Sequence, residues 1–375
     1  MFRQERGACG VNSELRPWIA LRLTPGIGTV VCKNLLETFG SPERIMAASQ
    51  EELAAVSGMS ARTAQALKSS LANPEIDREL AKLSGTDIYS STYTAPDYPQ
   101  ALKNIYDPPP YLYIRGRLQP ADGNAVAVVG SRNASDYGLR AAADISRDLA
   151  RAGLTIVSGM AAGIDAAAHR GALSAGGRTI AVLGCGADVC YPAENRRLYD
   201  AIAATGAILS EHAPGTGPDA YHFPARNRII SGMARAILVV EAGPKSGSLI
   251  TARLALEQGR DVFAVPGSIY SFKARGAHQL IRSGAALVES GQDIIDALGM
   301  AASSGPAQPE APAIETLSPE ARRICDLLAA GPAHIDRLIC ETGLSSGAIS
   351  AVLLELELGG FVRQLPGKHF ACGNA

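Results

Sequence analysis

A short apolar run at residues 126–129 leads directly into Gly130, Ser131 and Arg132, and helix-forming residues follow. A strand that passes through such a turn into a helix presents backbone N–H groups, a hydroxyl group and a guanidinium at the helix N-terminus. The dipole of the helix favours anions at that end. These residue types therefore predict a phosphate-binding turn.

The turn lacks the glycine pattern of a dinucleotide-binding fold. That pattern reads G-x-G-x-x-G, and an acidic residue for the ribose follows about 20 residues later. Here the turn reads Gly-Ser-Arg, and the next apolar run ends in Ser158 and Gly159. The sequence thus predicts phosphate binding without nicotinamide chemistry and without a cofactor.

Short apolar runs that end in small residues alternate with amphipathic segments through the middle of the chain. This alternation is typical of an α/β fold with a Rossmann-like, doubly wound parallel sheet. Ligands of such sheets bind beyond the carboxyl ends of the strands. Further strands are predicted at residues 154–157, 178–183, 207–209, 236–241, 261–265 and 286–288.

Basic residues follow several of the predicted strands. The formal net charge is −1 at pH 7, so a nucleic-acid site would require a local concentration of positive charge. The Gly130–Arg132 turn and the Ser158–Gly159 loop are expected to bind backbone phosphates at helix N-termini. Asn227, at a predicted helix start, and Ser246 and Gly247 are expected to contribute polar contacts. The basic candidates besides Arg132 are Arg196, Arg197, Arg226, Arg228, Arg235 and Lys245.

Six ordered motifs carry a family resemblance. They read VGSR (129–132), SGMAAGIDAAAH (158–169), GCGADVCYP (184–192), FPARNRII (223–230), SGSLIT (246–251) and VPG (265–267). Together they closely resemble the DNA-processing protein A family, also called Smf. The resemblance implies a non-catalytic protein that binds single-stranded DNA, dimerises through its Rossmann-like domain and loads the recombinase RecA during natural transformation.

One position departs from the family pattern. Several family members carry a lysine directly after the Tyr-Pro motif, where this chain has Ala193. Arg196, one helical turn further on, could supply the missing charge, or the affinity for DNA could be lower. Tyr191 and Phe223 could stack on bases, and both are equally plausible as core residues.

Two alternative functions remain open. Residues 241–251 are laid out like the phosphate loop of the lysine-decarboxylase-like phosphoribohydrolases, which cleave nucleoside monophosphates. However, Thr251 occupies the position of that family's catalytic glutamate. A protein-interaction scaffold with a relict crevice is the other alternative, and it predicts no salt-dependent DNA binding.

Catalytic and metal-binding patterns are weak in this sequence. Asp165 and His169 are spaced i and i+4, which suits a metal site or an acid–base pair, but no further ligands accompany them. We therefore expect Asp165 to cap its helix and His169 to make a buried contact. Glu211 and His212 are expected in a solvated loop. Serine hydrolase, zincin and P-loop motifs are absent, so we predict no enzyme and no metal.

The N-terminal segment, residues 1–84, resembles a helix-hairpin-helix pair with hairpins at residues 25–28 and 57–60. Hairpin glycines allow backbone N–H groups to approach a DNA phosphate without reading bases. Ser60 replaces the final glycine of the second hairpin, and a purely structural role is an equal alternative. Mutation of the basic residues Arg62 and Lys68 would discriminate between the DNA-binding role and the structural role.

The C-terminal segment is predicted to be a winged helix. Residues 85–299 form the predicted core, residues 300–312 a Pro/Ala-rich linker, and residues 313–375 the winged helix. The expected recognition helix, 345–358, contains two glutamates and no basic residue, which disfavours a phosphate backbone. Only Arg363 and Lys368 in the wing could offset the negative charge of this helix. A domain that contacts another protein is therefore favoured over one that reads a DNA sequence.

Cysteine usage and hydropathy indicate the compartment. The seven cysteines form no C-x-x-C pair, which predicts free thiols in a reducing environment. The N-terminus lacks an apolar signal core, and no run approaches the roughly 20 apolar residues of a membrane span. We expect a cytoplasmic protein without a membrane partner.

Overall fold

The computed structural model describes residues 8–300, 317–329, 331–358, 361–365 and 367–372. The chain divides into two compact units, residues 1–303 and 304–375. The first contains the helical N-terminal segment and the large sheet, and the second contains the winged helix. The predicted linker lies almost entirely outside the described residues.

Six α-helices lie in the described part of the N-terminal segment, which begins at residue 8. Serine side chains cap α3, α4 and α5, since Ser41, Ser49 and Ser60 each accept a hydrogen bond from a backbone N–H of the first turn. The two predicted hairpins join α1 to α2 and α4 to α5. The helices are α1 (Ala8–Leu23), α2 (Thr29–Phe39), α3 (Pro42–Ala47), α4 (Gln50–Ala54), α5 (Ala61–Ser69) and α6 (Pro74–Leu83).

A nine-stranded sheet follows. Its order is β1-β2-β6-β5-β4-β3-β7-β8-β9. Strands β3 to β9 are mutually parallel, whereas β2 is antiparallel to both β1 and β6. The strands are β1 (Ile88–Thr92), β2 (Tyr111–Gly116), β3 (Ala125–Val129), β4 (Thr155–Ser158), β5 (Thr179–Leu183), β6 (Ala207–Ser210), β7 (Ala236–Val239), β8 (Asp261–Ala264) and β9 (Ala286–Leu287).

Helices cover both faces of the parallel part. In β3, Ala127 and Val129 pack with Ile229 and Ile230 of α11, whereas Val126 and Val128 pack into the core formed with α8 and α9. Burial on both faces explains why the strands read as continuous apolar runs. The helices are α7 (Gln100–Lys103), α8 (Asp136–Arg151), α9 (Ile164–Ser174), α10 (Arg196–Thr205), α11 (His222–Met233), α12 (Gly247–Glu257), α13 (Arg275–Arg282) and α14 (Gly291–Ala297).

The predicted fold class is confirmed, and the antiparallel edge is an addition. Strands β1 and β2 were not predicted because they follow no βα alternation, and β1 contains mainly polar residues. The predicted strand 236–241 ends at Val239, which leaves Glu241 in the loop beyond it. The order of the sheet reverses between β3 and β7, and a ligand crevice is expected at such a reversal.

The C-terminal unit has the winged-helix architecture that the sequence predicts. Helix α17 exposes Glu355 and Glu357, and Arg363 and Lys368 are exposed in the wing. A three-stranded sheet of order β10-β12-β11 accompanies the helices. The elements are α15 (Pro319–Ala329), β10 (Ala333–His334), α16 (Ile335–Thr342), α17 (Ser346–Leu358), β11 (Val362–Leu365) and β12 (His369–Cys372).

Among the described helices, none is by itself long and apolar enough to cross a membrane. The segments Ile335–Thr342 and Ser346–Glu357 meet the length and composition criteria only as a pair, and they are bent by 111°. The cysteines whose side chains are described are free thiols, as expected.

Candidate nucleic-acid interface

A cleft of about 1140 Å³ opens at the carboxyl ends of β3 and β7. This is the edge of the sheet, and the reversal point, where the sequence places the phosphate-binding residues. The structure brings most of them together. The predicted residues that line the cleft are Gly130, Ser131, Arg132, Arg226, Asn227, Lys245, Ser246 and Gly247.

Three solvent-accessible cations of the cleft have no carboxylate partner among the described residues. Arg132 and Lys245 are exposed, and Lys273 is half-buried. None of them forms an ion pair with a described residue. The guanidinium of Arg132 lies 5.1 Å from the ring centre of Phe223, a cation–π arrangement. The cleft therefore presents uncompensated positive charge.

Lys273 was not among the predicted site residues. It lies in the loop after β8, six residues beyond the Val-Pro-Gly motif, and that loop returns to the same edge of the sheet. The signal available in the sequence was its position after a predicted parallel strand. Lys273 lines the cleft together with Arg132 and Lys245.

The N-terminus of α8 is already occupied by a protein carboxylate. Ser135, the N-cap residue, donates to Glu241 from its backbone N–H at 2.9 Å and from its hydroxyl at 2.5 Å. A Cβ atom at Gly138 would come within 2.6 Å of Glu241 Cδ, so the carboxylate is tightly enclosed. The prediction that the Gly130–Arg132 turn opens onto a free helix N-terminus is therefore corrected, since Glu241 takes the place of an anion there.

The N-terminus of α9 has a carboxylate of its own, since Asp165 lies in its first turn. Asp165 accepts hydrogen bonds from the backbone N–H groups of Gly159 at 3.2 Å and Ala161 at 3.3 Å. Burial raises the pKa of this carboxyl group. Asp165 thus secures the loop that precedes its helix, which refines the expected capping role.

The N-terminus of α12 remains open to the cleft. Its N-cap residue, Ser246, accepts from the backbone N–H of Ser248 at 3.3 Å. The first turn contains no acidic residue. Lys245 precedes it and Lys273 lines the same cleft. Of the three helix N-termini described above, this one is available to an external anion.

Arg226 has a largely structural role. Its side chain is buried and donates to the carbonyl oxygens of Gly159, at 2.7 Å, and Val182. Burial lowers the pKa of its guanidinium to about 10. A Cβ atom at Gly159 would lie 2.5 Å from Arg226 Nη1, so the glycine makes room for the arginine. Helix α11 begins at His222, so Arg226 and Asn227 lie inside the helix rather than at its predicted start.

Arg228 and Arg235 do not line the cleft. Arg228 forms ion pairs with Asp107 at 3.0 Å and with Glu211 at 2.6 Å. Glu211 is thus an ion-pair partner rather than part of a solvated loop. Arg235 precedes β7, at the opposite edge of the sheet, and its Nη1 lies 3.4 Å from Asn124 Oδ1.

Ser158 and Arg196 also lie apart from the cleft. The buried hydroxyl of Ser158 donates to the carbonyl oxygen of Val128 at 2.6 Å. Arg196 pairs with Asp200 at 3.2 Å. Neither Ala193 nor Arg196 is among the described residues that line the cleft, so Arg196 does not bring its charge there.

Tyr191 and Phe223 form an aromatic pair beside the cations. Their ring centres lie 5.7 Å apart with planes inclined by 36°. Tyr191 is 41% exposed. Both rings line the cleft and a smaller adjoining recess, which Gly159 also lines. They are accessible surfaces rather than core residues.

His169 makes the expected buried contact. Thr179 Oγ1 donates to the carbonyl oxygen of Ile156 at 2.8 Å, so it must accept from His169 Nδ1, 2.6 Å away. Burial lowers the pKa of His169 to about 3. Among the described residues, no group of three or more His, Cys, Asp or Glu side chains could hold a metal ion.

Three family models match the chain. The family described as DNA recombination-mediator protein A matches residues 90–299. The DprA winged helix domain matches residues 308–368. A SAM-like helix-hairpin-helix tandem matches residues 21–73.

Named relatives and solved structures agree with these matches. Protein Smf of Synechocystis sp. is 37% identical over 393 residues, which cover 96% of this chain and 99% of the relative. The X-ray structure of DprA from Streptococcus pneumoniae superposes with a TM-score of 0.68 and 40% identity, covering 75% of this chain and 96% of that one.

A structure of DprA from Helicobacter pylori was determined for its single-stranded DNA binding mode. It matches with a TM-score of 0.52 and 31% identity, covering 57% of this chain and 97% of that one. From the match of the family model over residues 90–299 and the similarity to Smf along nearly the whole chain, the chain belongs to the DNA recombination-mediator protein A family, DprA/Smf.

Proposed function

We propose that this protein binds single-stranded DNA in the cleft and acts as a non-catalytic mediator of recombination. The observation that carries the proposal is the grouping of Arg132, Lys245 and Lys273, which have no carboxylate partner among the described residues, around the open N-terminus of α12. Cations and a helix N-terminus together favour phosphate. The pairing of aromatic rings with this charge favours single strands.

The DNA backbone would lie across the end of α12. One phosphate is bound by the N–H groups of its first turn, with Lys245, Ser246, Gly247 and Lys273 beside it. Arg132 and the Gly130–Ser131 backbone take a neighbouring phosphate. Asn227 offers a further polar contact, whereas Arg226 and Gly159 support the cleft wall. Ser158 and Arg196 fall outside this interface.

Bases would stack on the rings of Tyr191 and Phe223. Stacking on an aromatic side chain requires a base whose face is free, and the bases of a duplex cover one another's faces. Every base has such a face, so the contact is independent of sequence. The cleft thereby distinguishes single strands from duplex without reading bases.

Family membership supports extending this activity to this chain. The H. pylori relative is described by its single-stranded DNA binding mode. The motif resemblance further implies that the protein protects incoming DNA and loads RecA in natural transformation, in the cytoplasm. We carry these roles over as proposals. RecA loading is tested by strand-exchange assays in which single-stranded DNA is first covered by a competing binding protein.

A homodimer through the Rossmann-like unit is also proposed. Ile269 is 73% exposed and Leu287, in the edge strand β9, is 50% exposed. Both line a surface cavity of about 750 Å³ together with residues of α13. Clustered apolar exposure of this kind is typical of subunit contacts. Sedimentation of Leu287→Glu tests it, since a charge in the contact should shift the protein to monomer.

The arrangement favours binding over hydrolysis of nucleotides. Asp165 is the one carboxylate among the described residues that line the cleft. It already accepts hydrogen bonds from two backbone N–H groups. Thr251, at the position of the phosphoribohydrolase glutamate, bonds its own helix through Gly247 O at 3.4 Å. Neither group is poised to activate water.

The proposal is tested by fluorescence anisotropy with a labelled single-stranded oligonucleotide. We expect saturable binding that weakens as salt rises and that unlabelled single strands displace much better than duplex of equal length. Equal displacement by duplex would refute the single-strand preference. Salt-independent or absent binding would favour the interaction scaffold.

A further inference from the structure

An aromatic and basic loop borders the cleft beyond β8. Residues 262–288 contain no aspartate or glutamate, whereas Phe272, Lys273 and Arg275 follow one another closely. Phe272 and Lys273 both line the cleft. The loop therefore joins an aromatic surface to uncompensated positive charge, the combination that single-strand-binding proteins use.

The ring of Phe272 is supported although it is 61% exposed. It lies against Gly243 in the loop after β7, where a Cβ atom would come within 3.0 Å of Phe272 Cε1. The guanidinium of Arg275 lies 5.7 Å from the ring centre. The N–H of Gly276 donates to Ala242 O at 2.7 Å, which ties the start of α13 to the same loop. The ring is thus held open to solvent on a fixed backbone.

Phe272 lies far from the first aromatic pair. A Cβ atom at Gly184, directly after β5, would come within 3.1 Å of Phe223, so that pair lies near the end of β5. The ring of Phe272 lies against Gly243 in the loop after β7, and β5 and β7 are three strand spacings apart in the sheet order. Strands lie about 4.8 Å apart, so the two aromatic surfaces are separated by roughly 14 Å. The N-terminus of α12 follows the same loop in the chain and lines the same cleft.

We propose that Phe272 is a second base-stacking residue, on which a nucleotide of the bound strand stacks beside the N-terminus of α12. This inference rests on the proposed function and extends its ligand to a strand of several nucleotides. Lys273, next to the ring, binds the phosphate of that nucleotide. The contact accepts any base, because stacking uses the face that all bases share.

The test compares Phe272→Ala with the full-length wild type by anisotropy on oligo(dT). We expect about a tenfold loss of affinity, as for removal of one base–aromatic stack, with an unchanged salt slope. Lys273→Ala should instead lower the magnitude of that slope by about 0.7. Phe272→Tyr, which keeps a ring, should bind like wild type. Tyr106→Ala is the matched control, since Tyr106 is 78% exposed and is not among the described residues that line the cleft.

An oligonucleotide with abasic sites shows whether Phe272→Ala loses affinity through a missing base stack or through misfolding. Wild type should lose affinity for it, and Phe272→Ala should lose about tenfold less, because the stack on Phe272 is already gone whereas the stacks on Tyr191 and Phe223 are lost in both proteins. Wild-type affinity of Phe272→Ala, or equal loss for Phe272→Tyr, would overturn the inference while the proposed function stands. A shift of Phe272→Ala from dimer to monomer in sedimentation would also overturn it and assign the ring to a second copy of the chain. Failure of the wild type itself to bind single strands would instead refute the proposed function.

Discussion

Polar groups are organised in opposite ways at the cleft and at the junction between the N-terminal helices and the sheet. At the junction, Glu79 of α6 accepts hydrogen bonds from Tyr113 and, at 3.1 Å, from Tyr111 of β2, and it pairs with Arg22 of α1. Arg22 also donates to Tyr111 Oη at 2.6 Å. Charge and hydrogen bonds are thus satisfied internally.

At the cleft, Arg132, Lys245 and Lys273 have no acidic partner among the described residues. Positive charge left uncompensated around a concave surface contributes little to stability and attracts anions. A buried, fully bonded network instead contributes to stability and offers nothing to a ligand. Arg228 belongs with the buried, bonded networks, because it pairs with Asp107 and Glu211. The partners of an arginine, rather than its presence, indicate whether it serves the fold or a ligand.

Among these changes, Glu79→Ala should give the largest effect, a loss of folding stability. Removing the carboxylate leaves Arg22 without its charge partner and two buried tyrosine hydroxyls without their acceptor, which should cost about 3 kcal/mol of unfolding free energy. Denaturant titration measures this loss. The affinity of the remaining folded protein for single strands should stay unchanged. A stable variant with weakened DNA binding would contradict the division between the two regions.

Arg132→Ala should have the opposite pattern of effects, with weaker DNA binding and unchanged stability. Losing a charge-assisted phosphate contact should weaken single-strand binding by about 2 kcal/mol, with normal circular dichroism and unfolding midpoint. Arg235→Ala is the matched control, because Arg235 is exposed at the other edge of the sheet. Unchanged binding by Arg132→Ala, or an equal loss in Arg235→Ala, would count against the cleft.

Acidification should destabilise the fold through His169. Its pKa is lowered to about 3 when folded, so below about pH 6.5 the unfolded chain binds a proton that the folded chain excludes. Stability should fall by up to about 1.4 kcal/mol per pH unit from this group alone as the pH drops from about 6.5 towards about 3. His169→Asn should flatten that slope in denaturant titrations, and an unaltered slope would contradict its buried neutral state.

Deleting residues 313–375 should have the smallest effect. Helix α17 exposes Glu355 and Glu357 and contains no basic residue, so it should add little to phosphate binding. Single-strand affinity should stay within roughly threefold of the full-length value. A loss of tenfold or more would assign Arg363 and Lys368 to DNA contacts.

The sequence was sufficient to predict the parallel strands and the gathering of most site residues at one edge. Both follow from local patterns, because parallel strands in a doubly wound sheet bring their carboxyl ends together. The open helix N-terminus was not predictable in this way. Glu241 accepts a hydrogen bond from Ser135, which lies 106 residues earlier in the chain. No local sequence pattern predicts that contact.

The partners of the arginines on α11 were likewise not predictable from the sequence. Arg226 and Arg228 are two residues apart on α11, yet one is bonded to backbone carbonyls under the cleft and the other is bound to two carboxylates. Helical geometry sends such neighbours to different faces. Their partners come from distant strands and loops, which only the tertiary structure shows.

The salt dependence of single-strand affinity tests the central claim most directly. Log affinity should fall linearly with log salt at a slope of about −0.7 for each phosphate neutralised, hence about −2 for three cations. Combined replacement of Arg132, Lys245 and Lys273 by glutamine should bring the slope close to zero in a folded protein. A steep slope that survives the triple replacement would place the DNA elsewhere on the molecule.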